Sequence, residues 1–221
     1  ENRQRTGSFK LRGALNKILS LEPWERERGL VTASTGNHGR GVAIAAQLCQ
    51  AHATVFTTES APRVKREAMR QAGAQVRLVP GSFEEAENTA IAYAAQIGAT
   101  WISAYNDGQV IAGQGTIALE ILEELAALEQ STWLVPVSGG GLISGIGACL
   151  KARDEPSWAS ALRKAGKNRL VGVQAAAAPF MHHILRHGTN TQVDERPTLA
   201  DGVSGDIERN SLTIPMVRQL V

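Results

Sequence analysis

The chain has 221 residues, of which 43% are hydrophobic, 20% charged and 5% aromatic, and this length suffices to bury a core in one or two domains. Its formal net charge of +2 is almost balanced, which gives no electrostatic case for a nucleic acid or an acidic membrane as partner. No apolar run approaches the roughly 18 residues that a transmembrane helix needs.

The cellular setting is predicted from what the sequence lacks. The amino-terminal residues do not show the basic, apolar and small-residue succession of a signal peptide. The two cysteines, Cys49 and Cys149, lie far apart and form no CxxC motif, so neither a disulfide framework nor a zinc ribbon is indicated. We therefore expect a cytoplasmic protein with no nucleic-acid and no membrane partner.

The first predicted helix lies within "RTGSFKLRGA", residues 5–14, where Lys10 follows Phe9 and precedes Arg12. A lysine and an arginine at this spacing usually mark a solvated helix face. The stretch by itself therefore assigns no function, and its role depends on the motifs that follow.

From residue 29 onward, short β-branched runs alternate with alanine-rich helical stretches. The predicted strands are "GLVTAS", "ATVFTT" near residue 53, "AQVRLVP" near 74, "TWISAY" near 100, "TWLVPVS" near 132 and "NRLVGVQA" near 168. Between them, Pro62 suits the first turn of a helix, and Ser82 with Glu85 forms a capping box. Strands that alternate with helices predict a parallel sheet layered by helices.

The segment "VTASTGNHGRGVAIAAQ", residues 31–47, predicts a strand, a loop and a helix, and its loop is rich in polar side chains. One such residue is enough to cap the helix, whereas four crowd five positions here. The surplus suits a carboxylate that is held by N–H and hydroxyl donors at a helix N-terminus. The loop residues are Ser34, Thr35, Gly36, Asn37 and His38.

The segment "LVPVSGGGLISG", residues 134–145, is a predicted strand that enters Gly139, Gly140 and Gly141 and then an apolar helix. Such a turn either makes a tight connection or points backbone N–H groups at a phosphate. Three successive glycines exceed what a turn needs, which favours the phosphate. Because the chain contains neither GxGxxG with a following acidic residue nor GxxxxGK[ST], a small phosphorylated cofactor remains.

Two histidines in "MHHILRH", His183 and His187, stand one helical turn apart, which is the spacing of a metal-binding pair. The segment lacks the glutamate of HExxH, and no cysteine is close in the sequence. We interpret it as a partly exposed helix face.

Five motifs together, "TGSFKLRGA", "STGNHG", "VIAGQGTIALEI", "SGGGLISG" and "LADGV", resemble in order and spacing the pyridoxal-phosphate enzymes of fold type II. Within that group they look most like the serine/threonine dehydratase (ammonia-lyase) and serine racemase branch, which includes dehydratases of hydroxyectoine utilisation. The similarity extends over essentially the whole chain. Each motif alone is weak evidence, whereas their combination is specific.

The resemblance implies an α/β fold like that of the tryptophan synthase β-subunit, with two three-layer α/β domains, mostly parallel sheets and the cofactor in the cleft. The large domain would comprise residues 1–27 and 108–221, and the small domain residues 28–107. The family also implies a homodimer of the full-length protein. Because the chain starts inside a motif and stops in mid-pattern at "MVRQLV", we expect it to be incomplete at both ends.

The resemblance also implies a role for each motif residue. Lys10 would bind the aldehyde of pyridoxal 5'-phosphate covalently and act as catalytic base, since an amine that is partly desolvated beside an aromatic ring loses its proton more readily. The cofactor contacts would come from Phe9, Asn37, Gly139, Gly140, Gly141, Leu142 and Gly202. The residues around the substrate carboxylate would be Ser34, Thr35, Gly36 and His38.

The chain departs from the family pattern at three places. Ser138 stands where relatives usually carry a further glycine, and its hydroxyl either contacts the phosphate or only narrows the loop. Thr35 occupies the position that protonates the opposite face in racemases; it keeps a hydroxyl, but its branching disfavours racemisation. Gln174 and Phe180 replace the acidic residues of the family's divalent-metal site, so we predict that no metal is bound.

The implied activity is dehydration and deamination of a β-hydroxy amino acid, such as threonine or serine, to a 2-oxo acid and ammonia. The alternatives are a hydroxylated diamino acid from hydroxyectoine breakdown as substrate, serine racemisation, or a catalytically silent cofactor-fold binding protein. The presence of Lys10, Asn37 and the glycine loop argues against the silent protein. A cysteine-synthase-like β-replacement enzyme is disfavoured because that group typically has threonine at the position of His38.

Overall fold

The computed structural model describes residues 1–125, 131–154, 168–191 and 193–221. Internal contacts divide the chain into two compact units, Glu1–Gly113 and Gln114–Val221. The predicted division into a domain of residues 28–107 and a domain built from both ends of the chain stays a prediction.

The first unit is an α/β structure around a four-stranded parallel sheet. The sheet has the order β3 (Gln75–Val79), β2 (Ala53–Thr58), β1 (Leu30–Ala33) and β4 (Thr100–Trp101), and Leu30 is in register with Ala53 on one side and Thr100 on the other. The elements are α1 (Lys10–Leu19), α2 (Pro23–Glu27), β1 (Leu30–Ala33), α3 (Asn37–Leu48), β2 (Ala53–Thr58), α4 (Arg63–Gln71), β3 (Gln75–Val79), α5 (Phe83–Ile97), β4 (Thr100–Trp101) and the start of α6 (Gly108–Glu124).

Helices cover both faces of this sheet because successive strand residues point to opposite sides. On one face, Leu30 and Val55 pack with residues of α1, α3 and α4, including Met69. On the other face, Val31 and Phe56 pack against the alanines of α5. The first unit is therefore a parallel sheet layered by helices, as the alternation of strands and helices predicted.

The local signals of the first unit are largely confirmed. Glu85 N–H donates to Ser82 Oγ (3.2 Å) and Ser82 N–H donates to Glu85 Oε2 (2.6 Å), which closes the capping box of α5. Two details differ from the prediction. Pro62 precedes α4 as its N-cap rather than lying in its first turn, and β4 covers only Thr100–Trp101 because the hydroxyl of Ser103 accepts the N–H of Asn106 (3.0 Å) and starts a turn.

The second unit contains two parallel strands in the part of the chain that the structure describes, and Thr132 is in register with Arg169. Helix α7 packs closely on the last helix, since a Cβ at Gly147 would lie 2.9 Å from Leu220 Cβ. After the end of α6, the elements are β5 (Thr132–Pro136), α7 (Gly141–Asp154), β6 (Arg169–Val173), α8 (Phe180–His187), a 3-10 turn (Asp201–Val203) and α9 (Thr213–Leu220).

Both predicted strand, loop and helix junctions are present. The polar loop connects β1 to α3, and the glycine loop connects β5 to α7. Among the helices of the described ranges, none is both long and apolar enough to cross a bilayer.

Candidate active site

Lys10 is the first residue of α1, and its amine is directed to a backbone acceptor. Lys10 Nζ is half-buried and donates to the carbonyl oxygen of Ala104 (2.8 Å), and it lies 5.3 Å from the ring centroid of Phe9. Burial lowers the pKa of Lys10 from 10.5 to about 8. A substantial fraction of this amine is therefore neutral just above neutral pH, and the neutral amine is the nucleophilic and basic form.

Close helix packing holds the backbone of Lys10 in place. A Cβ at Gly41 in α3 would lie 3.1 Å from the carbonyl carbon of Lys10, and a Cβ at Gly113 in α6 would lie 2.6 Å from the carbonyl oxygen of Arg12. Lys17, further along α1, forms an ion pair with Asp107 (2.8 Å). The helix that presents the amine is thus packed against backbone on two sides, which restricts its movement.

His38 is a further group of the first unit with a shifted pKa. Its Nε2 lies 3.1 Å from the carbonyl oxygen of Ile102, and because a carbonyl only accepts, Nε2 carries the proton. Burial, followed by the positive charge of Lys10, lowers the pKa of His38 from 6.5 to about 3, and the hydrogen bond to Ile102 opposes this only in part. His38 is therefore a neutral imidazole with Nδ1 as an acceptor.

Two buried polar atoms near the start of α1 and α3 lack partners among the described residues. They are Ser8 Oγ and His38 Nδ1, and the two residues are 7% and 4% exposed. A buried polar atom without a hydrogen bond costs about 1–3 kcal/mol. Each of these two atoms can therefore take a further polar partner.

The polar loop before α3 is fixed by its own contacts. Ser34 is buried, and its Oγ accepts the N–H of Gly36 (3.1 Å). Gly36 is the N-cap of α3, and the side chains of Thr35 and Asn37 are exposed beside it. The loop therefore leaves two polar side chains and the first N–H groups of a twelve-residue helix at one place.

The glycine loop of the second unit has a backbone that only glycine adopts readily. Gly140 has φ +87°, and a Cβ there would lie 2.9 Å from both Met181 Cε and Thr213 Cβ. The carbonyl oxygen of Gly139 accepts the hydroxyl of Thr213 (2.6 Å). Gly141 begins α7, and Leu142, the next residue, is half-buried.

The other predicted positions of the second unit make backbone contacts, are exposed or are buried in the core. Ser138 Oγ donates to the carbonyl oxygen of Ser204 (3.4 Å), and Gly202 is exposed in the 3-10 turn. Gln174 Oε1 accepts the N–H of His182 (3.1 Å) at the start of α8, while Phe180 is buried. Within the described ranges, no three His, Cys, Asp or Glu side chains form a metal-binding group.

Sequence reasoning missed several contacts of the candidate site. It did not identify Ile102 and Ala104 as acceptors for His38 and Lys10, nor Ser8 as a buried unpartnered hydroxyl, nor Thr213 as a partner of the glycine loop. Both acceptors lie at the end of the predicted strand "TWISAY", and this position was the available signal. Backbone carbonyls leave no mark in side-chain patterns.

The family follows from a match over the full sequence. A family model described as pyridoxal-phosphate dependent enzyme matches residues 1–221. The chain belongs to this family. The expected cofactor class, pyridoxal phosphate, is thereby confirmed at the level of the family.

Relatives and solved structures within the family narrow the resemblance. The chain is 42% identical over 221 residues to an L-threonine ammonia-lyase of Thermotoga maritima, with all of this chain and 52% of that protein covered. It is 45% identical over 223 residues to a catabolic L-threonine dehydratase of Staphylococcus aureus, covering 60% of that protein. The structure of maize serine racemase matches all of the chain and 63% of its own with a TM-score of 0.86 at 33% identity.

The chain thus spans about half to two thirds of the length of these relatives. The similarity supports the predicted fold type II branch of serine/threonine dehydratases and serine racemase. The predicted α/β fold with mostly parallel sheets is confirmed as well, since both described sheets are parallel.

The residues present fit pyridoxal phosphate. Lys10 offers an amine with a lowered pKa for the aldehyde, and the buried atoms Ser8 Oγ and His38 Nδ1 still need polar partners in the described part of the chain. In the second unit, Gly140 leaves no room for a side chain where the loop enters α7. The amine of Lys10 therefore suits the aldehyde of this cofactor, and the N–H groups of the glycine loop suit a phosphate.

Replacing His38 with glutamine should flatten the acid dependence of stability. The pKa of the folded His38 is about 3, below the ordinary 6.5, so between these values the unfolded chain binds a proton that the folded chain does not. Stability therefore falls as pH falls through this window, by at most about 1.4 kcal/mol per pH unit from this group. The free energy of unfolding by urea from pH 6.5 to pH 4 measures the slope for each variant.

The matched control is His52→Gln, because His52 is exposed in the same unit. The unfolding free energy of this control should run parallel to the wild type across the pH range. The His38→Gln variant should approach the wild-type value as the pH falls. An equal slope in wild type and His38→Gln would contradict the buried neutral state of His38.

Proposed function

We propose that the protein dehydrates and deaminates a β-hydroxy amino acid of the threonine or serine type, giving a 2-oxo acid and ammonia, with pyridoxal 5'-phosphate as cofactor. The observation that carries the proposal is the half-buried amine of Lys10, whose pKa is lowered to about 8. The names of the 42–45% identical relatives, L-threonine ammonia-lyase and L-threonine dehydratase, support this reaction class.

Lys10 is proposed to hold the cofactor and to move the substrate proton. In its neutral form this amine would hold the cofactor through its aldehyde, and Nζ would take the α-proton of the substrate. The cofactor supplies an electron sink for the charge that this proton leaves behind. The carbonyl of Ala104 orients the amine through its 2.8 Å hydrogen bond.

The cofactor contacts are proposed to come from the lysine motif, the polar loop, the glycine loop and Gly202. Phe9 lies beside Lys10, and Asn37 presents an exposed amide at the start of α3, which suits the ring hydroxyl. The N–H groups of the glycine loop suit the phosphate, since the first N–H groups of α7 have no acceptor within the helix. The residues of the loop are Gly139, Gly140, Gly141 and Leu142, and Gly202 is proposed as a further contact.

The substrate carboxylate is proposed to bind at the start of α3. Ser34 and Thr35 provide hydroxyl donors there, beside Gly36 and the first N–H groups of the helix, and the helix dipole favours an anion. Because His38 is neutral, its contribution is the acceptor Nδ1 and not a positive charge. This arrangement suits a zwitterionic amino acid with a hydroxylated side chain.

Racemisation is the second candidate function. The likeness to maize serine racemase, with a TM-score of 0.86, favours it. The exposed hydroxyl of Thr35 at the polar loop is the proposed acid for the opposite face of the substrate. A hydroxylated diamino acid remains the alternative substrate for dehydration, and a silent binding protein remains the alternative without turnover.

We further propose a cytoplasmic setting, a homodimer of the full-length protein and no metal, nucleic-acid or membrane partner. The resemblance to the family supports the dimer and the domain division at residues 28–107.

A substrate panel tests the proposed reaction. The purified protein is loaded with pyridoxal 5'-phosphate and incubated with L-threonine, L-serine, D-serine and a hydroxylated diamino acid, and 2-oxo acid, ammonia and chirality are measured. Equimolar 2-oxo acid and ammonia from L-threonine or L-serine are expected. Inversion without 2-oxo acid would instead establish a racemase, and bound cofactor without any product would establish the silent protein.

A further inference from the structure

The glycine loop is held from one side by a pair of buried hydroxyls. Thr213 Oγ1 donates to the carbonyl oxygen of Gly139 (2.6 Å), and Ser211 Oγ lies 2.7 Å from Thr213 Oγ1. The two residues are 0% and 3% exposed, respectively. All of these contacts lie within the second unit.

The direction of these hydrogen bonds follows from proton counting. Thr213 has one hydroxyl proton, which it donates to Gly139, so Ser211 must donate to Thr213 Oγ1. Ser211 Oγ in turn accepts the backbone N–H of Thr213 (3.3 Å). The hydrogen bonds therefore run in one direction, from Ser211 through Thr213 to the carbonyl oxygen of Gly139.

The hydrogen bond to the carbonyl of Gly139 also fixes the direction of the next N–H group, because the peptide unit is planar. In a trans peptide the C=O of one residue and the N–H of the next point in opposite directions. Because Thr213 binds the C=O of Gly139, the N–H of Gly140 must point away from Thr213. The φ of +87° at Gly140 and the contact distance of its hypothetical Cβ from Thr213, 2.9 Å, show how closely the loop lies on this residue.

We propose that Ser211 and Thr213 form a latch that orients the peptide between Gly139 and Gly140, so that the N–H of Gly140 faces the cofactor phosphate and the carbonyl of Gly139 is turned away from it. The inference rests on the proposed function, because it assigns positioning residues to the phosphate loop. Without the latch this peptide can rotate, and a carbonyl oxygen would then face the anion. The latch therefore acts on phosphate affinity through the loop and does not touch the substrate.

The test compares cofactor binding with and without the phosphate. The cofactor is removed from the purified protein, and pyridoxal 5'-phosphate or pyridoxal is titrated back while absorbance is followed. Thr213→Val, which keeps the branched shape and removes the hydroxyl, should raise the Kd for pyridoxal 5'-phosphate about ten-fold and change the Kd for pyridoxal by less than about two-fold. Thr213→Ser should restore the wild-type value.

A matched control is Thr57→Val, because Thr57 is 0% exposed and its hydroxyl has no partner among the described residues. This control should leave both Kd values unchanged. If Thr213→Val does not fold, Ser211→Ala, which removes the donor to Thr213, is judged by the same two titrations.

The outcomes separate the latch from the proposed function. An unchanged affinity for pyridoxal 5'-phosphate, or an equal loss for both ligands, would overturn the latch while leaving the proposed function intact. A wild-type protein that binds neither ligand would overturn the proposed function, and the latch with it.

Discussion

Replacing Lys10 with alanine is expected to lower turnover of the hydroxy amino acid by at least about a thousand-fold. The variant lacks both the amine that holds the cofactor and the base that takes the α-proton, and among the described residues this amine donates one hydrogen bond, to Ala104. It should also lack the absorbance band at about 410 nm that the cofactor shows when joined to a lysine. Production of 2-oxo acid and an absorbance scan measure the two effects.

The matched control is Lys17→Ala, on the same helix. Lys17 pairs with Asp107, and both side chains are 18% exposed, so its removal should cost stability, about 3 kcal/mol for a largely buried pair, while the amine of Lys10 stays in place. Turnover and the absorbance band of this control should stay close to wild type. Wild-type turnover in Lys10→Ala would rule out the assigned role of Lys10.

Replacing Gly140 with alanine is expected to destabilise the second unit and to weaken cofactor binding. A residue with a Cβ is strained at φ +87°, and the new atom would lie 2.9 Å from both Met181 and Thr213. The positive φ costs about 1 kcal/mol and the overpacking about 1–3 kcal/mol more, so a loss of about 2–4 kcal/mol is expected. Urea unfolding and titration with pyridoxal 5'-phosphate measure both effects.

Gly188→Ala separates backbone strain from crowding. Gly188 has φ +76° at the end of α8, but a Cβ there would meet nothing within 4 Å. This control should cost only about 1 kcal/mol and leave cofactor affinity unchanged. Equal losses of stability and affinity in the two variants would show that the glycine loop needs no close packing.

Features that depend on neighbouring residues were predictable from the sequence. The capping box of Ser82 and Glu85, the strand before the polar loop and the strand before the glycine loop are each encoded within a few positions, and each is present. The prediction for β4 was too long because β-branched and aromatic residues continue beyond Trp101, whereas the hydroxyl of Ser103 ends the strand.

Contacts that bring distant backbone atoms to a site were not predictable in this way. Lys10 and its acceptor Ala104 are 94 residues apart, and Thr213 and Gly139 are 74 residues apart. Each acceptor is a main-chain carbonyl, which every residue carries, so no side chain indicates the pairing. The lowered pKa values of Lys10 and His38 likewise arise from burial that only the fold produces.

The roles of several residues rest on the resemblance and stay predictions. Asn37 and Thr35 are exposed beside the polar loop, and Gly202 is exposed in the 3-10 turn. Their assignment depends on contacts with a cofactor and a substrate. The lysine motif differs in this respect, because the pKa and the hydrogen bond of Lys10 are properties of the folded chain itself.

Covalent mapping of the cofactor gives the most direct test of the role of Lys10. The protein is incubated with pyridoxal 5'-phosphate, reduced with borohydride, digested and analysed by mass spectrometry. We expect one modified peptide, with the cofactor on Lys10 and not on Lys17 or Lys65. Modification of another lysine in place of Lys10, or of none, would contradict it.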